Sequence, residues 1–226
     1  MLATEPHPTI MKLLAFTDIH GAYDRVEDVM RREKDFDAIV IGGDLTTRGA
    51  DQEAEAVLAR FGRHGRPLFV VAGNMDAPSF DRLFEHLGVG INGRGLLLKD
   101  VGFFGVSGSP FTPMHTPYEI TEEEIALRAE RGFQEVQAAR VKVFVPHAPP
   151  HKSTLDTIFL GRHVGSTAVR QFIQKHQPDA VICGHIHEAR GIDRIGRSQI
   201  VNCGIAGAGS YAVITIDEAV RIDLKG

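Results

Sequence analysis

The chain has 226 residues, 43% apolar and 24% charged. That is the balance of an ordinary globular protein, not of a disordered or fibrous one. A net charge of -4 leaves no basic footprint, which speaks against a nucleic-acid partner. Cys183 and Cys203 form neither a Cys-x-x-Cys pair nor a secreted disulfide pattern, so a reducing cytoplasm is the expected location.

No apolar stretch reaches the roughly 20 residues that a membrane helix needs. The first ten residues, MLATEPHPTI, lack the positive and apolar regions of a signal peptide. They read as a disordered tail, or as a misassigned start with Met11 the true one. Strands and helices then alternate. Lys12–Thr17 reads as a strand, and Tyr23–Lys34 as a helix with Val26, Val29 and Met30 on one face. Ala38–Ile41 is a second strand. Asp51–Gly62 is a helix whose stripe is Ala54, Val57, Leu58 and Phe61. Pro67–Ala72 is a third strand and Ser79–Leu87 a short helix. This βαβαβ order predicts a parallel sheet with right-handed crossovers.

Gly95–Lys99 and Val101–Val106 follow as adjacent strands, then a proline-rich loop over 109–120. Thr121 and Glu124 form a capping-box signature for the next helix, whose buried stripe is Ile125, Ala129, Phe133 and Val136. Gly132 inside it costs about 1 kcal/mol against alanine, and the sequence supplies no reason for it. Val141–Val145 is a strand, and Ser166 caps a helix that runs to His176. The rest is β: Asp179–Cys183, Gly191–Ile195, Ser198–Asn202, Tyr211–Asp217 and Ala219–Leu224. One α/β domain over 11–226 is the simplest organisation. Its expected architecture is a four-layer αββα sandwich of two mixed β-sheets flanked by helices.

The residues behind each strand carry the chemistry. They are Asp18-Ile19-His20, Gly42-Gly43-Asp44, Gly73-Asn74-Met75-Asp76, Pro146-His147 and Gly184-His185-Ile186-His187. Sites in open α/β sheets form at the carboxyl ends of strands. On extended chain, residues i and i+2 point the same way, so His185 and His187 would converge. The candidate ligands are Asp18, His20, Asp44, Asn74, His147, His185 and His187. They are too many for one tetrahedral ion and suit two divalent metals sharing a carboxylate. Imidazole and oxygen without thiolate suit manganese, iron or zinc. Two such metals, about 3.5–4 Å apart, activate water and clamp an in-line displacement, the chemistry of phosphate-ester hydrolysis. Asp76 reads either as a partner that orients a ligand or, more simply, as the cap of the following helix.

The order D-x-H, GGD, GN-x-D, a lone histidine and GH-x-H closely resembles the calcineurin-like metallophosphoesterases. Within them the chain is similar to small prokaryotic phosphoesterases related to the cyclic-AMP phosphodiesterase Icc. That closer likeness rests on Pro110-Phe111-Thr112-Pro113, Thr116-Pro117, His147-Ala148-Pro149-Pro150, Gly161 to Ser166 and His185-Ile186-His187-Glu188. The resemblance implies one metal on Asp18, His20, Asp44 and His187, and another on Asp44, Asn74, His147 and His185. Asp44 would bridge, and a hydroxide between the ions would be the nucleophile. It also implies a small phosphoester substrate, with phosphodiesters and nucleotides favoured.

One position departs from the pattern. Many relatives place histidine after the asparagine; here it is Met75, whose thioether cannot protonate a leaving alkoxide. General acid catalysis typically contributes about 10²–10⁴-fold. Asn74 and His147 are catalytic candidates among the ligands. His115 and His163 are candidate proton donors, with His151 behind them, and Arg162 is a candidate phosphate contact. A non-catalytic scaffold of the same fold is the alternative reading. No residue marks an interface, and a symmetric homodimer is the default oligomer.

Overall fold

The computed structural model describes residues 10–226. The expected tail therefore lies outside the described residues, except for exposed Ile10. A five-stranded sheet has the order β13 (Val220–Lys225), β12 (Tyr211–Ile216), β1 (Met11–Phe16), β2 (Ala38–Gly42), β3 (Leu68–Val71). β1, β2 and β3 are parallel; β12 runs antiparallel to both of its neighbours, β1 and β13. A six-stranded sheet has the order β10 (Gly191–Ile195), β11 (Ser198–Asn202), β9 (Ala180–Cys183), β6 (Val141–Pro146), β5 (Val101–Val106), β4 (Gly95–Leu98). Its four middle strands are parallel and its two edges antiparallel.

Strand alternation sorts the apolar residues into three layers. Leu13 and Ala15 of β1 meet Phe103, Val143 and Val145 of the second sheet. The rings of Phe69 and Phe103 stack at 3.8 Å across this middle layer. Leu14 and Phe16 face the other way, toward α1 (Tyr23–Glu33) and α2 (Asp51–Gly62). Phe104 and Phe144 likewise face α4 (Glu122–Val136) and α5 (Thr167–His176). The order is helices, sheet, sheet, helices, as expected.

Ser166 Oγ accepts from Val169 N at 3.1 Å and caps α5 as expected. The box ahead of α4 forms only by half. Thr121 Oγ1 accepts from Glu124 N at 3.2 Å, but the Glu124 carboxylate takes Arg128 Nε at 2.7 Å instead of reaching back. Gly132 has its reason in packing. A methyl there would meet Arg94 O at 3.0 Å and Arg94 N at 3.1 Å, so a side chain would push α4 off the sheet. The sequence showed no sign of a short hairpin, β7 (Thr157–Ile158) with β8 (Arg162–His163).

Asp76 does not cap α3 (Phe80–His86), whose N-cap residue is Ser79. It is buried and accepts from Leu45 N (3.0 Å), Thr46 N (2.8 Å), Thr46 Oγ1 (2.9 Å) and Gly73 N (2.9 Å). One carboxylate thus ties the loop behind β2 to the loop behind β3. Burial pushes it up to about 6 despite these four hydrogen bonds.

Two stability measurements check this account. Gly132→Ala should cost about 1 kcal/mol in urea denaturation, because overpacking against fixed backbone outweighs the gain in helix propensity. Asp76→Ala strands three buried backbone donors, each worth about 1–3 kcal/mol. Relief of repulsion with Asp44 offsets part of this, so a net loss of about 3 kcal/mol is expected in the same assay.

Candidate metal centre

All seven donors singled out from the sequence come together where the parallel strands of both sheets end. Asp18 and His20 follow β1, Asp44 follows β2 and Asn74 follows β3. His147 follows β6, and His185 and His187 follow β9. Four of the seven have left-handed backbone: Asp18 (φ 51°), His20 (φ 47°), Asp44 (φ 51°) and His185 (φ 67°). Aspartate and histidine tolerate this region better than most side chains, at a cost of roughly 1 kcal/mol each. The glycines beside the donors are needed for space. A Cβ on Gly73 would lie 2.0 Å from Asp44 Oδ1, and one on Gly184 would lie 2.1 Å from Asp18 Oδ2.

Two subsets share the centre. Asp18, His20 and His187 offer atoms within 4.8 Å of one another, as do Asp18, Asp44 and His147. His187 Nε2 is 3.2 Å from Asp18 Oδ1. Asp44 Oδ2 stands between two imidazoles, 3.4 Å from His20 Nε2 and 3.7 Å from His147 Nε2. Asn74 Oδ1 is 2.9 Å from His147 Nε2 and 2.7 Å from His185 Nδ1. Asp18 belongs to both acid–imidazole groups, and Asp44 faces imidazoles of both.

His185 and His187 do not point the same way along an extended segment. The left-handed turn at His185 and the 3-10 turn over His187–Ala189 divert them. His185 goes to Asn74 and His187 to Asp18. An alternation rule for strands fails here because the strand has already ended at Cys183.

Electrostatics favours a cation. Asp18 and Asp44 are buried, and neither pairs with a lysine or arginine among the described residues. Burial raises Asp44 well above the usual carboxylate range, and the fields of Asp18 and Asp76 add to the rise. Burial also works to raise Asp18. The hydrogen bond and the field of His187 prevail and hold it below its ordinary value. Burial depresses His147 and His20, and it takes His185 down to about 3, helped by His147. These rings are neutral at pH 7 and keep a lone pair free. His187 goes the other way, raised by its bond to Asp18. His147 Nδ1 lies 2.8 Å from Gly42 O and donates to it, which leaves Nε2 as the free nitrogen.

The donor set fits divalent metal. The separations of 2.7–3.7 Å bracket the edges, about 3.0–3.4 Å, of a polyhedron with bonds near 2.1 Å. Two buried carboxylates, four imidazoles and one amide oxygen suit a borderline cation.

The centre opens into a cavity of about 670 Å³ lined by His20, Asp44, Asn74, His185 and His187. Met75, Phe111, Met114, Phe159 and Glu188 also line it. The other sequence candidates lie elsewhere. His115 is exposed, with φ 50°, and is not among the lining residues. His163 Nδ1 is 2.6 Å from Asp156 Oδ1, and His151 Nδ1 is 3.5 Å from Asp156 Oδ2. Buried Asp156 also accepts from Lys152 N, Ser153 N and Gly165 N, so this cluster braces the β7–β8 hairpin. Arg162 is exposed on that hairpin and does not line the cavity. Sequence reasoning missed Phe159. Its signal was Phe159-Leu160-Gly161, two large apolar residues ahead of a turn glycine in a stretch that lacks helical or strand periodicity. A separate cavity of about 320 Å³, lined by Asp81, Arg94 and Arg128 among others, holds none of the donors. No described helix is long and apolar enough to cross a membrane.

Comparison with known proteins bears on the family and the fold. Protein MJ1162 of Methanocaldococcus jannaschii is 34% identical over 197 residues, 85% of this chain and 87% of its own. The crystal structure of TT1561 of Thermus thermophilus is similar in fold, with a TM-score of 0.72 at 20% identity, covering 95% of this chain and 99% of that one. An archaeal phosphodiesterase shares the fold at a TM-score of 0.51 and 14% identity, covering 95% of this chain and 100% of its own. The family model for calcineurin-like phosphoesterases matches residues 11–189, a span that holds all seven donors. The chain belongs to the calcineurin-like phosphoesterase family.

Proposed function

We propose that residues 11–226 form one domain that hydrolyses phosphate esters, phosphodiesters above all, with two divalent ions of manganese, iron or zinc. The observation that carries this reading is the place of Asp44 Oδ2, between His20 Nε2 at 3.4 Å and His147 Nε2 at 3.7 Å. A carboxylate oxygen with an imidazole on each side is suited to bridge two ions. Asp18, His20, Asp44 and His187 would hold one of them; Asp44, Asn74, His147 and His185 would hold the other. When bound, such ions act as Lewis acids and lower the pKa of water.

The chain's own groups set the conditions for that chemistry. Gly42 O fixes the His147 tautomer. Met75 N donates to Asp44 Oδ1 at 2.7 Å, which leaves Oδ2 for the bridge. Asn74 contributes a neutral oxygen, so only two carboxylates offset the charge of the ions. The centre stays electropositive toward an anionic ester.

Proton delivery is the weak point. Met75 lines the cavity where many relatives carry histidine, and the exposed placements of His115 and His163 leave them outside its lining. A leaving group must then depart with little help, which favours aryl over alkyl esters.

Elemental analysis of the metal-loaded protein should give close to two ions per chain, and Asp44→Asn should lower both the metal content and kcat/KM, the latter by about a hundredfold or more. Two ions retained without turnover on a broad phosphoester panel would support the scaffold reading instead. Aryl phosphodiesters should turn over faster than alkyl ones. Met75→His should narrow that gap by about tenfold or more, read as the ratio of kcat/KM values with Mn²⁺ present.

A further inference from the structure

Two connections wall the cavity with apolar side chains that belong to none of the core clusters. The β5–α4 connection brings Pro110, Phe111 and Met114 to one part of the lining, and the β7–β8 hairpin brings Ile158 and Phe159 to another. Phe111 is 68% exposed, Met114 79% and Phe159 82%. Single exposed apolar residues are ordinary. Several around one cavity that adjoins a polar centre mark a binding surface. The hairpin does not hang free, because Asp156 ties its base to three backbone amides and to His163.

The polar side of the same wall is bare. No described lysine or arginine lines the cavity, and the only carboxylates in its lining are Asp44 and Glu188. The lining threonines are already engaged: Thr112 Oγ1 and Thr116 Oγ1 each donate to Glu119 Oε1 at 2.7 Å. A second phosphate in the cavity would find no lysine or arginine in that lining and would face Glu188. A sugar or base edge would find few free donors. An apolar group would find Phe111, Met114 and Phe159.

We infer that the substrate carries a single phosphate joined to an apolar group, alkyl or aryl, and that Phe111, Met114 and Phe159 receive that group while the metal centre receives the phosphate. This rests on the phosphoesterase reading above and narrows it to singly charged, amphiphilic esters.

The test holds the leaving group constant. The Mn²⁺-loaded protein is assayed on p-nitrophenyl diesters whose other group is methyl, hexyl or 2-phosphoethyl. Each fully buried methylene is worth about fourfold, so kcat/KM should rise about tenfold or more from methyl to hexyl even with partial burial. The phosphoethyl ester should fall below the methyl ester. Phe159→Ala and Phe111→Ala should each shrink the hexyl-to-methyl ratio severalfold. Calorimetry gives a readout without turnover: hexylphosphonate should bind about tenfold tighter than methylphosphonate, and Phe159→Ala should erase most of that difference. Equal rates and equal affinities along the series, or a faster phosphoethyl ester, would overturn the inference and leave the phosphoesterase reading standing. No turnover of any ester would overturn that reading, and the phosphonate affinities would still decide whether the wall receives an apolar group.

Discussion

Two carboxylates, Asp18 and Asp44, lie buried in one centre with no lysine or arginine paired to either among the described residues. Buried like charges are costly unless a counter-charge is close. Most features of the site follow from that constraint. Burial keeps three of the four imidazoles neutral, so they cannot serve as the counter-charge, yet they can ligate one. Asp76 adds a third acid nearby, but its hydrogen bonds go to the loops behind β2 and β3. The centre is arranged for a cation that the chain does not itself supply. The folded chain bears left-handed backbone at four donors to keep it so.

The sandwich makes this strain tolerable. Asp18, His20, Asp44 and Asn74 stand on the five-stranded sheet, and His147, His185 and His187 on the six-stranded one. Neither sheet holds the full donor set. Their relative position is set by the middle apolar layer, where β1 and β3 meet β5 and β6 through Leu13, Ala15, Phe69, Phe103 and Val143. Interiors packed at crystal-like density resist sliding, so the layer fixes distances that loops alone could not. Hydrogen bonds cross the join as well: His147 Nδ1 to Gly42 O, and His185 N to both oxygens of Asp18. Core and centre are thus one mechanical unit, with the hydrophobic layer positioning donors that sit at its edge.

The parts of this that were legible in the sequence are those that repeat or cluster. Strand runs, helical stripes and donors behind strand ends all leave local patterns, and the αββα order and the seven donors follow from them. What escaped depends on contacts far apart in the chain. Asp76 looked like a cap because it precedes a helix, whereas three of its four hydrogen bonds reach Leu45 and Thr46, 31 and 30 residues upstream. Gly132 looked like a flaw because Arg94, the group it makes room for, lies in the loop ahead of β4, far away in the chain. His163 looked available because nothing local reveals that Asp156, seven residues before it, is wholly buried and holds it at 2.6 Å. The β7–β8 hairpin is too short for periodicity to show.

The donors of the centre and the walls of its cavity come from different parts of the molecule. The donors sit on strand ends that the core makes rigid, and in the function proposed they would contact only the phosphate and its ions. That chemistry is indifferent to what the phosphate is attached to. The walls come from the β5–α4 connection and the hairpin, whose lining residues include none of the seven donors and no charged side chain. Loops on a rigid scaffold can change without disturbing the site beneath them. Met75 lies at the junction of the two parts, on a strand-end loop yet facing the cavity. In the function proposed, a thioether there would give a leaving group no proton and would add apolar surface in the same step. The two consequences are coherent. A substrate whose leaving group is already good needs no proton donor, and a leaving group with an extended apolar face is well received by a thioether.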